Sequence, residues 1–212
     1  MSTTLRPTGR TVTAGGPDPL LDRFMTRYEV RERHEIEVPA PAEVTYAAAL
    51  ALDLRRSGLV RAIFRARELL MGSSPARPAA RQDFIAEILA LGWRVLAEEP
   101  GRELVLGAAT QPWKADVEFR GLSPEEFAAF DEPGYAKIVW TLAAEPLGPD
   151  RSVFRTETRV VTTDTRSRRR FRRYWSLLSP GIRLIRYESL RLVRREAVRR
   201  QATRSGTASP RR

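Results

Sequence analysis

The segment from Arg166 to Gln201 places the strongest constraint on the fold, because it combines many arginines with a regularly spaced apolar stripe. Apolar side chains at positions 171, 174, 175, 178, 182 and 185 recur at steps of three and four, which is the spacing of one face of an α-helix. Another element has to cover this stripe, and in a chain of 212 residues we expect a β-sheet to do so. The space between helix and sheet would then be either packed or filled by a ligand.

The amino-acid composition excludes several kinds of site. The chain has no cysteine and one histidine, His34, so disulfides, thiolate metal sites and the usual histidine-rich metal sites cannot form within it. We therefore expect no metal and no cofactor. Motifs for phosphate, dinucleotide or serine-nucleophile chemistry are absent from the sequence. It also has neither a signal peptide nor an apolar run that could span a bilayer, which predicts a cytoplasmic location.

The net charge of +11 is concentrated at the C-terminal end. Residues 166–212 contain 16 arginines and two glutamates, which leaves residues 1–165 with a net charge of −3. Such a cluster could bind nucleic-acid phosphates or an anionic membrane surface. Charge runs on a helix are more often a solvated outer face, so we consider nucleic acid a disfavoured partner and keep peripheral membrane contact as an alternative.

The remaining pattern predicts one α+β domain over residues 25–201, between disordered tails at 1–24 and 202–212. A Ser-Pro-Glu-Glu capping signal at Ser123 starts one short helix, and Pro180 predicts a kink or break of the last helix between residues 178 and 182. The other predicted elements are strands at 28–38, 115–120, 136–147 and 152–163, helices at 42–54, 59–71 and 83–91, and a hairpin that turns at 99–102.

Two stretches of this pattern carry a resemblance to a known superfamily. They are HEIEVPAPAEVTYAAA at residues 34–49 and TETRVVTTDTRSRRRFRRYW followed by SPGIRLIR within residues 156–186. With this element order, the chain resembles the START-like or SRPBCC superfamily, which includes polyketide cyclases and lipid-transport-like proteins. The resemblance implies a helix-grip fold, in which a curved antiparallel sheet grips the long C-terminal helix after two small helices that follow strand 1. It also implies a hydrophobic ligand cavity between sheet and helix.

Aromatic side chains interspersed with hydroxyl groups are typical of pockets for flat organic ligands. Alternation places Ile138, Trp140 and Leu142 on one strand face, and Phe154, Thr156, Thr158 and Val160 on another. Simple core packing is the alternative interpretation for each ring. The residues that we predict to line a ligand site are Trp93, Trp113, Trp140, Phe154, Thr156, Thr158, Phe171, Tyr174, Trp175 and Leu178.

Alternation also places charged groups on both faces of the first strand. Glu32 and His34 fall on its apolar face, where ionisable groups need a partner or a polar cavity, so His34 with Glu32 is the candidate acid–base pair of an enzyme. The alternative is a half-buried histidine that pairs with a neighbouring carboxylate or carbonyl. The opposite face is predicted to be wet, and Glu157 and Arg159 are predicted to form a solvated or cross-strand pair.

Three functions are compatible with these patterns. The first is carrying or sensing a hydrophobic small molecule such as a lipid or polyketide. The second is a cyclase or dehydratase-type enzyme that uses His34 and Glu32, and the third is surface binding of nucleic acid or anionic membrane through the arginine-rich helix. The sequence leaves the ligand, any turnover and the oligomeric state open.

Overall fold

The computed structural model describes residues 18–52, 57–58, 62 and 84–207. Except for residue 62, the predicted helix at 59–71 lies outside the described residues. None of the described helices has the length and apolar character needed to cross a membrane. The described elements are α1 Pro19–Asp22, β1 Val30–Val38, α2 Ala42–Leu50, α3 Phe84–Ala90, β2 Arg94–Glu99, β3 Glu103–Thr110, β4 Phe119–Arg120, α4 Pro124–Ala129, β5 Ala136–Gly148, β6 Arg151–Thr162 and α5 Thr165–Thr207.

The strands form one antiparallel sheet in the order β1-β6-β5-β3-β2, with β4 paired to the end of β3. This is the predicted α+β helix-grip fold, in which the sheet holds the long helix α5. The hairpin turns where the Pro-Gly pair predicted it, because Gly101 adopts the positive φ of 77° that such a turn favours. The predicted capping box is also present: Ser123 accepts from the backbone of Glu126, and the Glu126 side chain accepts from the backbone of Ser123.

Strand register decides which side chains face α5. His34 is paired with Thr156 and Glu32 with Thr158 across β1 and β6, and Trp140 of β5 is also paired with Thr158. Because side chains at paired positions lie on the same face of a sheet, these residues share one face. We call it the inner face, and it is the face predicted by alternation.

Helix α5 runs without a break through Pro180 over 43 residues, so the predicted break between residues 178 and 182 is wrong. A proline inside a helix costs about 3 kcal/mol because it removes a backbone hydrogen bond. The helix is anchored on both sides of this position, by Phe171 before it and by Leu190 and Val193 after it, all of them buried. Tertiary packing of the two ends therefore outweighs the local preference for a break.

The opposite side of the sheet, the outer face, is covered by the N-terminal segment. Asp18 caps α1, and Leu21 and Met25 are buried against Phe127 and Val139. Residues 18–24 of the predicted tail are thus packed on the sheet, and at the other end α5 continues beyond residue 201 to Thr207. The sequence did not indicate this packing of residues 18–24, because the segment is too short to show a periodic apolar pattern, and residues 1–17 of the predicted tail lie outside the described residues.

The outer face carries a buried ion-pair network where a wet face was expected. Glu157 is fully buried and accepts hydrogen bonds from Arg31 Nε at 2.8 Å and from Arg159 Nε at 2.7 Å. Arg159 also donates to the backbone oxygen of Met25. The contact between Glu157 and Arg159 therefore lies within β6, and the cross-strand partner of Glu157 is Arg31 of β1. The predicted solvation of Glu157 and Arg159 is wrong, because residues that precede β1 shield these two charges from water.

Candidate functional site

Helix α5 packs on the inner face through two separate hydrophobic clusters. The proximal cluster contains Phe171 with Ala136 and Val160, flanked by half-buried Val30, Trp113, Ile138, Tyr174 and Trp175. The distal cluster includes Leu190, Val193 and Ala197 of α5, Val44 and Ala48 of α2, and Leu106, Trp140, Leu142 and Phe154 of the sheet. These clusters dock the first and last parts of the helix.

The turns of α5 between the two clusters are packed less completely against the sheet than the two ends of the helix. Leu178, Ile182 and Ile185 lie on the inward stripe predicted from the sequence, yet each is only half-buried and, among the described residues, belongs to neither cluster. We call residues 176–189 the central turns. The central turns thus leave apolar surface partly uncovered beside the inner face.

An arginine of the central turns reaches the inner face. Arg186 Nη2 donates a hydrogen bond to Thr158 Oγ1 at 2.6 Å, and its guanidinium carbon lies 5.1 Å from the centre of the Trp140 ring. Burial lowers the pKa of Arg186 to about 10, and the negative charge of Glu32 opposes this change. This is a cation held against an aromatic ring within the fold, an arrangement that strengthens when water is excluded.

Arg186 is not among the predicted site residues, because the arginines of α5 were expected to form its solvated outer face. A usable signal was present. Arg186 follows Ile182 by four residues and Trp175 by eleven, so helical spacing places it on the inward stripe. An arginine at such a position is a stronger indication of a site than the dense arginines of the outer face.

Trp140 and Trp93, two of the predicted lining residues, lie next to each other on the inner face of the sheet. Trp140 Nε1 donates to Thr156 Oγ1 at 2.6 Å, and the Trp93 ring lies 6.4 Å from the Trp140 ring in an edge-to-face arrangement. Trp93 also contacts Phe119, with ring centres 5.4 Å apart. Hydroxyls at 156 and 158 therefore serve as polar partners for Trp140 and Arg186, which explains threonines on a buried face.

His34 and Glu32 lie at the edge of the same face. His34 Nε2 is 3.3 Å from Glu32 Oε2, and Arg183 Nε donates to Glu32 Oε1 at 3.2 Å. Among the described residues, His34 Nε2 makes no well-directed hydrogen bond. Burial lowers the pKa of His34, Glu32 opposes this, and the positive charges of Arg186 and Arg183 add to it. The lowered pKa favours the neutral imidazole, which can accept a proton.

The ten predicted lining residues are divided between the two hydrophobic clusters and the positions between them. Trp113, Phe171, Tyr174 and Trp175 belong to the proximal cluster, with the Phe171 and Trp175 rings stacked at 5.7 Å. Trp93, Trp140 and Phe154 belong to or pack against the distal cluster. The other three predicted residues belong to neither cluster of described residues: they are Thr156 and Thr158 on β6 and Leu178 on α5.

Two surface clefts are bounded by described residues, and both lie away from the predicted lining. One, of about 410 Å³, is on the outer face beside α1 and includes Arg102, Glu145 and Arg155. The other, of about 470 Å³, lies between α2 and the end of α5 and includes Glu43 and Arg200. Among the described residues, no group of three histidine or acidic side chains is placed to hold a metal ion.

Comparisons with known proteins give similarities to solved structures only. No family model matches the sequence, and no curated protein matches it. A conserved protein from Geobacillus kaustophilus is similar at 14% identity over 80% of this chain and 96% of that chain, with a TM-score of 0.36.

Two similar structures have names that state an activity. The Zhui aromatase/cyclase from Streptomyces sp. R1128 is 14% identical over 81% of this chain and 94% of its own, with a TM-score of 0.29. Norcoclaurine synthase from Thalictrum flavum is 14% identical over 89% of this chain and 96% of its own, with a TM-score of 0.30.

Proposed function

We propose that the protein binds a small hydrophobic molecule with a flat body between the central turns of α5 and the inner face of the sheet. The observation that carries this proposal is the incomplete packing of Leu178, Ile182 and Ile185, which lie inward and belong to neither cluster of described residues. We also infer membership of the START-like superfamily. The element order and the strand-to-helix sequence at residues 34–49 support this inference.

Energetics favour an occupant at this position. Each square ångström of apolar surface removed from water stabilises a complex by about 25 cal/mol. A ligand that covers the exposed parts of these half-buried side chains therefore gains binding free energy. The opposite wall supplies the hydroxyls of Thr156 and Thr158 beside the buried ring of Trp140. A few placed polar groups in an apolar lining are typical of sites that orient organic ligands.

Binding is tested with N-phenyl-1-naphthylamine, a neutral dye that becomes fluorescent in apolar sites. We expect the protein to bind it, and Ile182→Asp to weaken binding by at least about tenfold because a carboxylate is costly to desolvate. The matched control is Leu184→Asp, on the exposed side of the same turn, which should leave the affinity unchanged. Absence of dye binding, or equal effects of the two variants, would contradict the proposal.

A second candidate function is proton transfer to or from the bound molecule by His34. The lowered pKa of His34 favours it, since a neutral imidazole beside Glu32 at the edge of the inner face can accept a proton. The test is untargeted mass spectrometry of a metabolite extract incubated with the protein. If depletion of a metabolite by the wild type is equally fast with His34→Ala, then His34 is not the catalytic base.

A further inference from the structure

We propose that the molecule bound beneath α5 carries an anionic oxygen, as a carboxylate, phenolate, enolate or sulfonate does, and that Arg186 binds this group. The inference rests on the proposed binding function and adds the chemical class of the ligand. It is carried by a guanidinium that lies on the inner face with fewer partners than it has donors.

The hydrogen bonds of Arg186 leave room for a further acceptor. A guanidinium has five N–H donors, and among the described residues Arg186 uses one of them, to Thr158 Oγ1. The Trp140 ring covers one face of the guanidinium group. The N–H donors point outward in the plane of that group, so the ring does not accept hydrogen bonds from them. Within the described part of the chain, no salt bridge pairs Arg186 with a carboxylate.

The charges around Arg186 do not cancel. Glu32 is the carboxylate that acts on Arg186 electrostatically, but Glu32 is also paired with Arg183 at 3.2 Å. Arg183, Arg186 and Glu32 sum to one excess positive charge, and a proton on His34 would add to it. Arg186 is half-buried, and a partly desolvated charge is costly unless it is paired, so an anionic group of a ligand would supply the missing partner.

The surroundings also define the rest of the ligand. Trp140 is 7% exposed and Thr158 is 7% exposed, so the anion would sit against an aromatic ring and a hydroxyl within the fold. Half-buried Ile182 and Ile185 precede Arg186 on the same stripe. The site therefore fits a compact organic acid with an apolar or aromatic body, whose anionic group meets Arg186 while its body covers Ile182 and Ile185.

The experiment compares two dyes that share one aromatic scaffold, 8-anilinonaphthalene-1-sulfonate, which is anionic, and neutral N-phenyl-1-naphthylamine. We expect the wild type to bind the sulfonate about tenfold more tightly, the effect of one charge-assisted hydrogen bond. Arg186→Gln should remove this preference, so that the two dyes bind the variant with equal affinity. The control Arg194→Gln, an exposed arginine of α5, should keep the preference.

A salt titration of the wild type gives a test that needs no variant. Because buried pairs are screened less than surface pairs, the preference for the sulfonate should persist in about 0.5 M NaCl. Loss of the preference in salt, or an equal loss in Arg194→Gln, would assign it to surface arginines and overturn the inference. If Arg186→Gln does not fold, Arg186→Lys, which keeps the charge, should still prefer the sulfonate.

The two proposals fail in different ways. If neither dye binds, the proposed binding function is wrong and the inference fails with it. If both dyes bind with equal affinity, or if Arg186→Gln retains the full preference, a hydrophobic site exists and the assignment of an anionic ligand to Arg186 is wrong.

Discussion

Asp18 and Arg155 form a buried ion pair that joins the N-terminal segment to the middle of β6. Arg155 Nη2 donates to Asp18 Oδ2 at 3.1 Å, while Asp18 Oδ1 accepts from the backbone N–H of Leu21 at 3.0 Å. The Asp18 side chain has no exposure and that of Arg155 has 6%. One carboxylate therefore caps α1 and also pairs with a buried arginine of the outer face, which Glu103 and Glu145 contact as well.

Asp18→Asn should reduce the free energy of unfolding by about 2 kcal/mol, because it removes one charge-assisted hydrogen bond of buried Arg155, which keeps Glu145 and Glu103 as partners. The asparagine keeps an oxygen for the cap, so the loss reports on the ion pair. Urea unfolding followed by circular dichroism measures it. Glu99→Gln, which breaks an exposed pair with Arg102, is the control and should cost less than about 1 kcal/mol. Equal small losses would show that the Asp18 pair contributes little.

Glu103 should make stability fall as the pH rises. Burial raises the pKa of this carboxyl, its hydrogen bond from Thr141 opposes the change, the charge of Asp18 adds to it, and Arg155 opposes it. A raised folded-state pKa means that the folded protein holds the proton more tightly. Its contribution to stability is fully present below the ordinary carboxyl pKa of 4.5 and is lost as the pH rises through the raised value.

Glu103→Gln should therefore remove part of the decrease in unfolding free energy between pH 5 and pH 8. The glutamine oxygen can still accept from Thr141, so the neutral side chain fits the same place. Urea unfolding at the two pH values provides the measurement. Glu132→Gln, at an exposed pair with Arg120, should leave the pH dependence unchanged. A wild-type pH dependence that survives in Glu103→Gln would exclude this carboxyl as its source.

Pro180→Ala should stabilise the protein, because α5 is helical through this position and alanine restores the missing backbone donor. Helix-interior proline costs about 3 kcal/mol relative to alanine, and we expect a gain of about 1–3 kcal/mol by thermal unfolding. The control is Pro124→Ala at the first position of α4, where proline suits the helix and the change should be nearly neutral. An unchanged or lower melting temperature for Pro180→Ala would mean that the helix requires proline here.

Much of the fold was predictable because local patterns and tertiary structure agree. Alternation along β1 placed His34 and Glu32 on the inner face, and the structure pairs them with Thr156 and Thr158. The apolar stripe of α5 also faces the sheet, as its helical spacing predicted. Pro180 is the exception, since a proline is a strong local signal that was overruled by the packing of residues far from it.

The candidate site was less predictable, since its defining contacts join residues distant in sequence. Nothing local to Arg186 identifies Thr158 and Trp140 as its partners. Similarly, the ten predicted lining residues were chosen by residue type and face. Their division between two clusters depends on where along the sheet α5 docks, and that is a tertiary property.

The sequence by itself determined the periodic faces of the strands and of α5, because alternation and helical spacing follow from backbone geometry. It also determined the concentration of arginine at the C-terminal end. Only the tertiary structure decided which charges are buried. Residues 18–25 cover the outer face and bury Glu157 and Arg159, while docking of α5 carries Arg186 onto the inner face. Burial depends on what another segment covers, and the pattern within a single element does not encode that.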